Sequence, residues 1–156
     1  MSREFVDAEI DKIVNDKELE YPKNMAMAAA WILGNLKGIN LKCFDVSHTS
    51  SLSDFYVLAS ATNTTQASAM AEDVMRTLKR NGMSILSKEG VNGSDWILLD
   101  AGDILVHIFL ESARDVYGLE ELWTEAKPVG IPNSYYFSSE DAESAEKLDD
   151  KGRDFF

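Results

Sequence analysis

With 156 residues, 45% of them apolar, the chain is long enough for one domain with a real core and short for two. Its formal net charge of −12, from 27 acidic residues against 15 basic ones, removes the phosphate-neutralising contact that dominates direct nucleic-acid binding and favours a basic partner, although it also serves ordinary solubility. The longest apolar stretch, residues 96–110, is broken by Asp100, Asp103 and His107, and it falls short of the ~20 residues that a bilayer-spanning helix requires.

The first residues, Met-Ser-Arg-Glu-Phe-Val-Asp-Ala-Glu, carry acids where a secretory signal or transit peptide needs basic and apolar groups, so a cytoplasmic location is expected. Ile10, Ile13 and Val14 have helical spacing and predict a short helix before Pro22, on an acidic extension covering residues 1–24. Asn24 reads as the N-cap of a helix rich in Met, Ala, Ile and Leu that stops at Gly38. Residues 41–46 read as a strand. Its Cys43 is the lone cysteine, without a partner for an intramolecular disulfide, and reads as a buried thiol rather than a nucleophile.

The polar linker 47–53 holds His48, for which no partner is identifiable, and leads to a second strand over residues 54–59. Thr62, Asn63, Thr64 and Thr65 offer caps for a helix whose apolar positions Ala67, Met70, Ala71, Val74 and Leu78 recur at three and four residues, ending at Asn81-Gly82. Its Arg76, Lys79 and Arg80 fit either a solvated face or a local contact. A third strand is expected at residues 83–87. Two apolar runs, residues 96–99 and 104–109, are separated only by Asp100-Ala101-Gly102-Asp103, which predicts a β-hairpin with a tight turn. Alternation puts Ile104, Val106 and Ile108 on one face of the second hairpin strand and Leu105, His107 and Phe109 on the other. Both faces are therefore largely apolar and need covering, by this chain's helices, by a second copy or by another protein.

Asp100, Asp103 and His107 have the chemistry of metal ligands or acid–base groups, but His107 lies about 13 Å along an extended strand from Asp103, too far for one metal to join all three. The aspartates suit local hydrogen bonding at the turn, and a histidine among aliphatics suits a satisfied, partly buried position. There is no phosphate-binding Gly-x-x-x-x-Gly-Lys loop and no Gly-x-Ser-x-Gly elbow. No catalytic residue, metal or cofactor is expected. Beyond Trp123, Pro128, Gly130 and Pro132 break regular structure, Tyr135, Tyr136 and Phe137 form an apolar cluster suited to tacking the tail down, and residues 138–154 are acidic.

The run Trp96-Ile97-Leu98-Leu99-Asp100-x-Gly102-Asp103-x-x-Val106-His107-Ile108-Phe109, followed by Arg114-x-x-Tyr117-x-Leu119-Glu120-x-Leu122-Trp123, resembles the ribosomal silencing factor (Iojap-like) family. Ser51-Leu52-Ser53-Asp54-Phe55-Tyr56-Val57 and Ala61-Thr62-Asn63-Thr64-Thr65-Gln66 match the same pattern, so the resemblance covers about residues 25–123 as one domain, between the acidic extensions 1–24 and 124–156. It implies an α/β fold, a mixed sheet of about five strands with two main helices and a nucleotidyltransferase-like topology. The Asp-x-Asp metal pair of those enzymes is missing at Asp54-Phe55-Tyr56, so the fold analogy carries no phosphoryl transfer with it.

The resemblance further implies a translational repressor that binds the large ribosomal subunit through its fourteenth ribosomal protein, beside an intersubunit bridge, and blocks subunit joining when nutrients are scarce. A role in large-subunit assembly through the same contact is the alternative, and a divergent nucleotide-dependent enzyme a more distant one. Little direct nucleic-acid contact, no membrane and a homodimer in the free state are expected. Trp96, Asp100, Asp103, His107, Arg114 and Tyr117 are the candidate partner-binding residues, with Arg and the aromatics as the types that carry interface energy. Trp96 and Trp123 also fit core packing.

Overall fold

The computed structural model describes residues 2–49, 53–90, 95–113 and 126–137. Helix α1 spans Arg3–Val14, with the Ser2 side chain accepting from the Phe5 N–H as N-cap. Its Val6, Ile10 and Ile13 recur at four and three residues and are buried, so the helix folds because that stripe has a partner surface. Helix α2, Lys23–Asn35, is buried at ten of its thirteen positions. A helix apolar nearly all round belongs in an interior, and its run of fully buried alanines, Ala28, Ala29 and Ala30, permits close approach of its neighbours.

Asn24 is not the cap of this helix. It lies inside the first turn, buried, and its side-chain amide donates to the Val14 carbonyl at the end of α1, so it ties two helices together. At the other end, the left-handed residue is Lys37, with φ 67°, while Gly38 donates its N–H to the Leu33 carbonyl at 2.8 Å. Gly38 is required by proximity: a Cβ there would stand 2.6 Å from the Leu33 carbonyl oxygen and 2.8 Å from the Met70 methyl.

Strand β1, Ile39–Asp45, pairs antiparallel with β2, Phe55–Ala61. Helix α3, Thr64–Arg80, follows with Asn63 as N-cap, accepting from the Gln66 N–H at 2.8 Å while the Gln66 side chain accepts from the Thr62 N–H at 2.8 Å. This reciprocal arrangement is close to a capping box. The third strand lies later than expected: β3 is Ser87–Glu89, paired antiparallel with residues 98–100, and Leu86 just before it donates its N–H to the Asp100 carbonyl. Strands β4, Trp96–Asp100, and β5, Ile104–Leu110, form the expected hairpin.

The strand order is β3-β4-β5-β2-β1-β6, and only β2 and β5 pair in parallel. The sixth strand, β6, is the two-residue pairing of Lys127–Pro128 with Asp45 and Phe44, a contact too short to show as a pattern in sequence. One face of the sheet carries the main core, where Val57, Ala59, Leu99, Ile104, Val106 and Ile108 are fully buried together with residues of α2 and α3. The other carries a smaller cluster of Phe44, Val46, Leu58, Phe109 and Ala126 with Tyr56 and Trp96 packed on it. Tyr135 and Tyr136 of the tail cluster pack against the main core whereas Phe137 is exposed, and the Tyr135 carbonyl lies against Gly34 of α2.

Residues 1–24 contribute to that core through α1, which is also strapped to α3 by ion pairs. Arg3 meets Asp73 at 2.7 Å, Arg80 meets Asp11 at 3.0 Å, and Arg76 meets Asp7. Arg76 and Arg80 of α3 thus make a local contact, while Lys79 stays on the exposed face. Half-exposed pairs of this kind contribute about 0 to 1 kcal/mol each, whereas burying one Ile or Val contributes about 1.5 to 3 kcal/mol, so the apolar stripe decides where α1 sits and the pairs set its register. Ile10→Ala should therefore destabilise the protein by about 2 to 4 kcal/mol in denaturant melts, more than Arg3→Ala, whose loss should be under about 1 kcal/mol.

Asp7 gives the strap a pH dependence. Its hydrogen bond with Arg76 holds the carboxyl below its ordinary 3.8, aided by the charges of Arg76, Arg80 and Arg3 and opposed by partial desolvation. A depressed folded-state value means the stabilisation is complete above the unfolded value and is lost as pH falls through the folded one. Acid titration followed by far-ultraviolet circular dichroism should show wild type losing stability below about pH 4, with a shallower acid limb in Asp7→Asn.

Candidate docking surface

The candidate residues fall into two groups on the hairpin. The first is a ring stack on the face away from the helices. Trp96 pairs with Phe109 across the strands, and His107 lies one alternation away from Phe109 on the same face. Trp96 and Phe109 stack with centroids 5.4 Å apart, His107 and Phe109 are nearly parallel at 5.9 Å, and Tyr56 meets His107 edge-on at 5.4 Å. The Trp96 Nε1–H donates to His107 Nδ1 at 3.3 Å. His107 is buried and Trp96 half-buried, so both act first in packing.

The second group is the turn. The Asp100 carboxylate accepts from the Gly102 N–H at 2.9 Å, which holds Gly102 in the left-handed region at φ 85°. The Asp103 carbonyl accepts from the N–H groups of Asp54 and Phe55, fixing the hairpin turn against the start of β2. The Asp103 carboxylate does not serve the turn locally. It accepts from the Tyr21 hydroxyl at 2.8 Å, a partner 82 residues away on the connection between α1 and α2. Partial burial, the hydrogen bond with Asp103 and the charges of Asp103 and Asp54 raise the Tyr21 phenol above its ordinary value.

Sequence reasoning missed Tyr21, because nothing in the Tyr-Pro dipeptide points to the turn it reaches. The structure brings Asp54, Asp100 and Asp103 to one end of the sheet and keeps Trp96 and His107 farther along the strands. Arg114 and Tyr117 lie outside the described residues. Burial pushes the Cys43 thiol up to about 12, so it is protonated at neutral pH and unsuited to nucleophilic work. Among the described residues no three His, Cys, Asp or Glu side chains are grouped to hold a metal ion, and no helix is long and apolar enough to cross a membrane.

The ring stack makes a separable prediction. Trp96→Ala removes both the stacked ring and the donor to His107 and should cost about 2 kcal/mol or more of stability in chemical denaturation, whereas Trp96→Phe, which keeps a ring, should cost less than half as much.

A family model described as ribosomal silencing factor during starvation matches residues 19–154. The ribosomal silencing factor RsfS of Haemophilus influenzae is 40% identical over 91 residues, 58% of this chain and 89% of that relative. A mouse relative named mitochondrial assembly of ribosomal large subunit protein 1 is 32% identical over 74 residues, 46% of this chain and 32% of its own length. A solved structure of a Chromobacterium violaceum protein superposes with a TM-score of 0.64 at 33% identity, covering 67% of this chain and 87% of the other. With the mixed sheet, the hairpin and its turn in place, this chain belongs to the ribosomal silencing factor family.

Proposed function

We propose that the chain is a ribosome-binding repressor of translation, which docks on the large subunit through a basic ribosomal protein, the fourteenth in the standard naming, and blocks joining of the small subunit when nutrients are scarce. The observation that carries this reading is the match of residues 19–154 to the silencing-factor family. The geometry supports it in two ways. Three carboxylates, of Asp54, Asp100 and Asp103, gather at the β4–β5 turn of a chain with net charge −12, which suits a basic protein and repels bare phosphate. The carboxylates of Asp100 and Asp103 are engaged in hydrogen bonding that shapes the surface rather than arranged for acid–base chemistry, and Cys43 is a protonated core thiol, so the reading is of a binding protein and not an enzyme.

On this reading Asp100 and Asp103 contact the partner directly, Trp96 and His107 hold the hairpin that presents them, and Arg114 and Tyr117 add anchors beyond β5. The free chain is a homodimer in the cytoplasm and requires no cofactor. A second reading has one specific support: the mouse relative is named for assembly of the large ribosomal subunit, and the same docking surface would serve an assembly factor.

Co-sedimentation with separated large and small ribosomal subunits tests the proposal. Wild type should pellet with large subunits only, less at high salt, and Asp103→Lys and Tyr117→Ala should lose binding while remaining folded. Equal recovery with both subunits, or with neither, would reject it. Sedimentation of the free chain should give the mass of a dimer.

A further inference from the structure

Four large apolar side chains stand exposed among the described residues: Phe5, Tyr21, Leu86 and Phe137. Scattered exposed hydrophobes are ordinary, but two of these four bracket one turn. Tyr21 is 55% exposed and its hydroxyl is bonded to the Asp103 carboxylate. Leu86 is 67% exposed, its backbone is bonded to the Asp100 carbonyl, and its Cδ1 lies 3.7 Å from the position a Cβ on Gly102 would take.

We propose that Tyr21 and Leu86 are the apolar anchors of the docking surface at the β4–β5 turn, flanking Asp103 so that together they receive an arginine or lysine side chain of a basic protein partner. The inference rests on the ribosome-binding reading and adds to it two residues and a mode of contact. The composition is that of an interface centre, with an aromatic and an aliphatic anchor beside carboxylates. A guanidinium lying on the Tyr21 ring would reach the Asp103 carboxylate oxygen that Tyr21 leaves unused, joining stacking to charge pairing. The hydrogen bond orders the exposed ring in advance, so less side-chain freedom is lost on binding than a loose tyrosine would lose. The carboxylates of Asp54, Asp100 and Asp103 make a protein surface, not an RNA backbone, the matching partner.

The test measures binding of the full-length chain to large ribosomal subunits purified from the source organism, and separately to their protein-free RNA. Tyr21→Ala should weaken binding to the subunits by about ten-fold or more and Leu86→Ser by about five-fold. Tyr21→Phe, which keeps the ring and drops the hydroxyl, should fall between wild type and Tyr21→Ala. Both side chains are solvent-facing, so all three variants should leave the melting temperature close to wild type. Wild-type affinity in both Tyr21→Ala and Leu86→Ser, with Asp103→Lys still losing binding, would overturn this inference and leave the ribosome-binding reading standing. No binding by the wild-type chain would overturn both. Binding to protein-free RNA as tight as to whole subunits would overturn the assignment to a protein partner.

Discussion

The parallel pairing of β2 with β5 is the constraint from which the rest of the fold follows. The ladder runs without a break from Phe55 opposite Ile104 to Ala61 opposite Leu110. Parallel neighbours cannot be joined by a tight turn, so the chain must travel from one end of the sheet to the other between them. Residues 62–103 make that journey, and α3 is the helix that covers one face on the way. The chain then returns antiparallel to β5 through β4, which is why a hairpin turn, and not a loop, ends up beside the start of β2. Because both central strands are apolar on both faces, each face requires its own cover. Helices α2 and α3 cover one, and the ring stack with Phe44, Leu58 and Ala126 forms the beginning of a second layer on the other.

What could be read from sequence was whatever depends on near neighbours. The apolar repeat of α3, the Asp-x-Gly-Asp turn, the alternation along β5 and the buried character of Cys43 are properties of a few consecutive residues, and the structure has them where they were expected. The misreadings share a cause as well. Asn24 is a typical capping residue, but a carbonyl ten residues earlier competes for its side chain and draws it into the helix–helix contact. Residues 83–86 suit a strand by propensity, yet the partner strand β4 ends at Asp100, opposite Ser87, so regular pairing begins only there. Of the docking residues, Asp100 shows its role locally through Gly102. Asp103 does not, since its partner Tyr21 is brought near only once α1 and α2 are folded over the sheet. Pattern reasoning finds the turn and misses half of its surface.

The distribution of charge sharpens the functional reading. Arg3, Arg76 and Arg80 face Asp7, Asp11 and Asp73 across the α1–α3 contact, three cations against three anions. That set is neutral as a whole, so the formal −12 of the chain is carried entirely by the remaining residues. Two of the three basic residues on α3, Arg76 and Arg80, are consumed by this contact inside the fold. A phosphate backbone approaching that helix would meet two arginines already paired, and the energetic gain of counterion release there would be correspondingly small.

The two halves of the hairpin then take different work. His107 is nearly inaccessible and Trp96 is half-buried, so they offer a partner little area, and truncating them removes packing before it removes contacts. The turn has the opposite character, with Tyr21 and Leu86 exposed and carboxylates alongside. Affinity between proteins depends on how little must be ordered at the moment of contact as much as on the area buried. A stack of four rings that locks β4 to β5 and to Tyr56 of β2 makes the turn a rigid projection, while the Asp103 carbonyl pins that projection to Asp54 and Phe55 from below. On the proposed ribosome-binding reading the aromatic face therefore supports docking at a distance: it ties β4 to β5 behind the turn that carries Asp100 and Asp103, so a basic partner would meet a turn that is already formed.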